Sequence, residues 1–159
     1  MYRILLLTCL SLPLLTYAQK KQETLSKYII TESTRNGSDL TSFDVEREGY
    51  FVFYRDSDGE LLFANVSKAT NEQSWGPVLD LKTKEEKETE TTYEADVFRF
   101  RWKYSNSYNK KTGYATVTLH KVYKQQGVVF VLKMVLTNLD EMIYKGYMEG
   151  TTDPDDFKP

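Results

Sequence analysis

Asp96-Val97-Phe98-Arg99-Phe100-Arg101-Trp102-Lys103-Tyr104 is the stretch that decides the fold. Aromatic residues at 98, 100, 102 and 104 alternate with basic residues at 99, 101 and 103. Successive side chains of a β-strand point to opposite faces, so this segment has an aromatic face and a basic face. A helix would scatter the same aromatics around its circumference.

Downstream, the polar connection Ser105 to Thr112 ends at Gly113, and Tyr114 to Tyr123 reads as the next strand. Ala115, Val117 and Leu119 share one face, and Thr116, Thr118 and His120 share the other; β-branched residues suit this pleated setting. After the turn Gln125-Gln126-Gly127, Val128 to Leu136 is apolar on both faces except at Lys133, which predicts a central strand covered on both sides. Met142 to Glu149 is a final strand.

Upstream, Tyr50 to Tyr54 and Glu60 to Val66 flank Asp56-Ser57-Asp58-Gly59, a hairpin signature. Lys27 to Thr34 reads as a strand closed by Asn36-Gly37, with Thr41 to Glu46 as its partner strand. Trp75-Gly76-Pro77 reads as a turn, and Lys82 to Glu94, rich in Lys, Glu and Thr, as a solvated loop or protruding hairpin. The pattern predicts an all-β chain: an antiparallel up-and-down meander of about seven or eight strands without a helix, closed as a calycin-like barrel or folded as a two-sheet sandwich.

The first residues read as an export signal. Arg3 precedes the apolar stretch Ile4 to Leu15, and Thr16-Tyr17-Ala18 supplies the small residue before a cleavage point. The stretch is shorter than the ~20 residues needed to span a bilayer. Residues 1–18 are therefore read as a signal peptide, 19–150 as a single β domain and 151–159 as a flexible acidic tail, with Gln19 to Leu25 loose at the start. The expected location is periplasmic or secreted, with no membrane span after signal removal. The one cysteine, Cys9, lies inside the signal, so the mature domain forms no disulfide and has no thiol nucleophile. With 21 Lys and Arg against 23 Asp and Glu, the near-neutral balance argues against a nucleic-acid partner.

Several segments resemble an uncharacterised family of short exported proteins from Gram-negative bacteria. The residues that carry the resemblance are Gln73-Ser74-Trp75-Gly76-Pro77, Asp96 to Tyr104, Ser105-Asn106-Ser107-Tyr108 and Gly113-Tyr114-Ala115. It implies no activity. A second resemblance, of pattern, is to bacterial lipocalin-like barrels of the calycin kind. Tyr28-Ile29-Ile30, Asn36-Gly37, Thr41 and Asp58-Gly59 stand in the order such barrels use, while Ser26-Lys27-Tyr28 replaces their usual Gly-x-Trp. This likeness implies a barrel holding an apolar ligand.

No constellation in the sequence supports a catalytic, metal or cofactor site. His120 is the only histidine and lacks a second His or Cys with which to bind a metal. Asp56 to Glu60 looks like part of a calcium loop but joins two strands and reads as a hairpin turn. Glu85, Glu86, Glu88, Glu90 and Glu94 are interleaved with lysines and threonines and read as solvated. The aromatic stripe Phe98, Phe100, Trp102 and Tyr104, with Trp75, is the candidate ligand-binding set; filling the core is the alternative role for these rings. The expected function is an exported non-enzymatic binding or accessory domain whose barrel holds a small apolar ligand. The alternative is an interaction or assembly module that meets an envelope protein through an edge strand and exposed tyrosines.

Overall fold

The computed structural model describes residues 22–88, 93–124 and 127–149, leaving aside the side chains of 85–88, 93 and 94. Residues 1–18, read from the sequence as a signal, 151–159, read as a tail, and Gln125-Gln126, read as a turn, lie outside the described residues. The elements are β1 (Glu23–Arg35), β2 (Ser38–Asp39), α1 (Thr41–Glu46), β3 (Gly49–Arg55) and β4 (Leu61–Ser67), then β5 (Glu72–Glu88), β6 (Tyr93–Asn106), β7 (Thr112–Lys124), β8 (Gly127–Leu136) and β9 (Glu141–Glu149). No described helix is long and apolar enough to cross a membrane.

From β3 to β9 each strand pairs antiparallel with the next, and β9 returns to β1, which also pairs with β3. Eight strands thus close an up-and-down barrel, and β2 adds two residues beside the end of β1. Of the two closures left open by the sequence, the barrel is the one formed. β1 serves both of its neighbours. Its first half pairs with β3, from Glu23↔Arg55 to Ile29↔Tyr50, and its second half with β9, from Lys27↔Glu149 to Arg35↔Met142. Register shifts at Thr24/Ser26 and Ile30/Glu32 mark bulges, which bend the strand as closure requires. The seam also depends on Gly146, where a Cβ would stand 1.8 Å from the Ile29 carbonyl oxygen.

The midsection of the barrel is filled. Tyr28, Phe51, Phe53, Phe63, Phe98, Phe100, Phe130, Leu119 and Leu132 are all buried within it. Phe63 is the hub: its ring stacks on Phe51 (5.4 Å between centroids) and meets Phe53, Phe100 and Trp102 at 4.7, 5.4 and 5.0 Å. Offset and edge-on contacts of this kind add ~0.5–1.5 kcal/mol per pair beyond area burial.

Several local expectations are corrected. Thr41 to Glu46 is a helix, not a strand. Its apolar and polar residues alternate, but Phe43 and Val45 both remain exposed, so no sheet face rewards that alternation. Asp39 Oδ1 accepts the Thr41 N–H at 2.8 Å, Ser33 O accepts the Leu40 N–H, and the turn winds from there. Trp75-Gly76-Pro77 lies inside β5 rather than in a turn. A Cβ at Gly76 would come within 1.9 Å of the Lys103 carbonyl oxygen, so the glycine permits close strand approach. β8 buries only Phe130, Leu132 and Met134; Val129, Val131 and Val135 are half-buried on the outside of the barrel. The start Glu23 to Leu25 is already strand rather than loose. Of the two readings of Lys82 to Glu94, the hairpin is the one formed, with β5 and β6 paired as far as Glu88↔Tyr93.

Candidate functional site

One end of the barrel is open, and a cavity of about 490 Å³ occupies it. β1, β4, β6 and β8 end here, while β5 and β9 begin here. The short α1 lies across part of the opening and contributes Phe43 and Asp44 to the wall, and its flanking caps contribute Leu40 and Arg47. Those four follow i, i+3, i+4 and i+7 spacing, the helical period that the alternation had masked.

The floor is Trp102 with Tyr144 and Met134, directly above the aromatic midsection. Trp102 is 2 % exposed, its Nε1–H donates to the Phe63 carbonyl at 3.0 Å, and its ring packs against Tyr104 at 5.0 Å. Tyr144 donates its hydroxyl to Met142 Sδ at 3.1 Å, and burial pushes that phenol well above its ordinary pKa. One wall is polar. Asn65, Ser74 and Asn106 come from adjacent strands in matched register and face inward together. Ser74 Oγ donates to Asn106 Oδ1 at 2.6 Å, and Asn106 Nδ2 donates to Asn109 at 3.2 Å. The opposite wall is Leu136, Met142 and Leu40.

The charges around the opening balance. Arg35 and Arg47 face it, as do Asp44 and Glu72. Arg47 binds Glu72 at 3.0 Å and covers the Phe43 ring at 4.1 Å, while Arg35 pairs with Asp140. Desolvation raises the Asp44 pKa, and Ser33 and Arg47 pull it partway back. Asp140 accepts hydrogen bonds from Asn36, Arg35 and Asn138, which lower its carboxyl to about 2. Asn36 also exchanges two 2.8 Å bonds with the Glu141 backbone, tying the β1–β2 turn to the β8–β9 turn across the rim.

Of the five aromatics singled out from the sequence, Trp102 and Tyr104 line this cavity. Phe98 and Phe100 sit deeper, in the packed midsection. Trp75 pairs with Ala64, beside inward-facing Phe63, and so lies half-buried on the outer face. His120 also faces outward, between Val97 and Val131 in register. Arg99, Arg101 and Lys103 are exposed outside the barrel, and Arg101 pairs with Asp80 at 2.7 Å.

The sequence reading overlooked two polar groups. Asn65, Ser74 and Asn106 come from three separate strands, and only the register assembles them. Lys121 is fully buried at the opposite end of the barrel, level with Asp96. Its ammonium lies 5.3 Å from the Tyr123 ring centroid, and Tyr123 donates to Asp96 at 2.6 Å. The signal was present: continuing the alternation of Ala115, Val117 and Leu119 by one step turns Lys121 inward.

Comparison with protein families, with curated proteins and with solved structures finds no match to this chain.

Proposed function

We propose that the chain is an exported, non-enzymatic binding protein that holds a small, neutral, amphipathic ligand in the mouth of its barrel. The observation that carries this reading is the mouth cavity, whose volume lies within the ~300–1,000 Å³ typical of small-molecule sites. The filled midsection favours the mouth over the barrel's centre. Two arginines against two carboxylates favour a neutral molecule over an ion. The Asn65, Ser74 and Asn106 wall offers hydrogen bonds, while Trp102, Tyr104 and Leu136 offer apolar and ring surface.

The test uses Trp75→Phe, which leaves Trp102 as the sole indole. Neutral amphipathic probes, such as octyl glucoside and indole, are titrated while Trp102 emission is followed. Saturable quenching that Tyr104→Leu and Asn65→Leu abolish, with the fold intact, is expected. A linear response, or saturation that neither substitution alters, would sink the proposal. The second reading, an assembly module acting through an edge strand, is favoured by one observation: beyond Pro77 no described strand pairs with the β4 side of β5.

A further inference from the structure

The polarity of the mouth is divided from wall to wall. Asn65, Ser74 and Asn106 stand on β4, β5 and β6, with Asn65 opposite Ser74 and Ser74 opposite Asn106 in register. Neighbouring strands lie ~4.8 Å apart, so the three make one short polar row along one side of the cavity. Facing them are Met134 and Leu136 of β8 and Met142 of β9. Around the closed ring β4 stands four strands from β8, and β5 four strands from β9, so the two groups confront each other across the width of the mouth.

The polar row has bonding capacity left. Ser74 Oγ donates to Asn106 at 2.6 Å and keeps lone pairs with which to accept. Asn106 is engaged at both its amide atoms, by Ser74 and by Asn109. Asn65 is half-buried, and no described group hydrogen-bonds its side-chain amide, which offers two donor hydrogens and an acceptor. A hydroxyl both donates and accepts, so it matches Asn65 and Ser74 alike. The rim charges ask for no counter-ion, because Arg47 is paired with Glu72 and Arg35 with Asp140. On the facing wall Met142 Sδ already accepts the Tyr144 hydroxyl, and that side presents hydrocarbon and thioether surface.

The floor limits the shape. Trp102 rests on Phe63 (5.0 Å between ring centroids) and Tyr144 on Phe51 (4.8 Å), and both phenylalanines are buried. A ligand with one polar head and a long tail would need an apolar channel beneath the head, and the aromatic midsection leaves such a tail no depth to occupy.

We infer, on the reading of the mouth as a binding site, that its ligand is a polycyclic alcohol: a rigid ring system with hydroxyls along one face and hydrocarbon along the other. The hydroxylated face lies against Asn65 and Ser74, and the hydrocarbon face against Leu136 and Met142. Rigidity suits the site, since a ring system enters with its faces already sorted and loses little conformational freedom on binding.

The experiment titrates the Trp75→Phe protein with methyl cholate, an uncharged ester with three hydroxyls on one face of its rings, and with methyl lithocholate, which lacks two of them. Both are kept below their aggregation concentrations, and Trp102 emission reports binding. Methyl cholate is expected to bind at least about tenfold more tightly. Asn65→Ala should remove that preference while methyl lithocholate binds as before, which also shows the fold intact. Equal affinities, or a preference that Asn65→Ala leaves unchanged, would overturn the polycyclic alcohol. If octyl glucoside or indole still saturates in that case, the mouth remains a binding site and only the ligand class falls. If no probe saturates, both readings fall.

Discussion

Trp102 combines two roles, cavity floor and core, and truncating it measures the second. Its indole is 2 % exposed, packs against Phe63 and Tyr104 at 5.0 Å each, and donates a hydrogen bond to the Phe63 carbonyl. A buried tryptophan covers ~200 Å², and at ~25 cal/mol per Å² this is worth ~5 kcal/mol as an upper bound. Trp102→Ala should therefore cost ~3–5 kcal/mol, since the closed sheet around it has little room to collapse. In a domain of this size that lowers Tm by ~10–20 °C. Trp102→Phe keeps the ring contact with Phe63 but loses the donor, for ~1–3 kcal/mol. Trp75→Ala, on the outer face, should cost less than either. Urea unfolding followed by far-ultraviolet circular dichroism reads all three without relying on the indoles. A loss below about 1 kcal/mol for Trp102→Ala, or a larger loss for Trp75→Ala, would refute the assignment of inner and outer faces.

Gly146→Ala should destabilise by about 3 kcal/mol, because the new methyl meets the Ile29 carbonyl at the β1–β9 seam; the shift in urea midpoint checks it. Asp140 has a folded pKa of about 2, below its unfolded value, so its contribution is present above pH ~4 and is lost as pH falls towards 2. Asp140→Asn should accordingly be less stable than the parent at neutral pH, and the gap should close by pH 2 in acid-unfolding curves. Tyr28 and Tyr144 have phenol pKa values raised first by burial, so two of the twelve tyrosines should resist alkaline titration until the barrel unfolds. Absorbance at 295 nm against pH would show a late step coincident with loss of circular dichroism.

The strands were legible because one face of each is buried and the other wet, which writes period two into the sequence. Phe98 to Tyr104 and Ala115 to Leu119 face as the alternation predicts. The same logic misread Thr41 to Glu46, where alternation arises without a sheet to bury it. It also misread Trp75 to Pro77, where Gly and Pro mark close strand approach rather than a turn. Barrel closure was left open because it rests on bulges in β1, which leave no compositional mark. The mouth was half legible. Trp102 and Tyr104 belong to the readable stripe, but Asn65, Ser74 and Asn106 are single polar residues in three strands, and only the register gathers them.

The seam between β1 and β9 also sets when the molecule becomes whole. Lys27 and Glu149, paired across it, are 122 positions apart, so the last contacts require closure of almost the longest loop the described chain offers. Neighbouring hairpins form from short-range contacts, but the ring waits for its final strand, a topology of high contact order and slow completion. Until then β1 and β8 each present an unpaired edge. Ring closure thereby acts as a test of chain completeness: a product lacking β9 keeps both edges open and is exposed to aggregation or proteolysis, whereas the finished chain hides them in a single step.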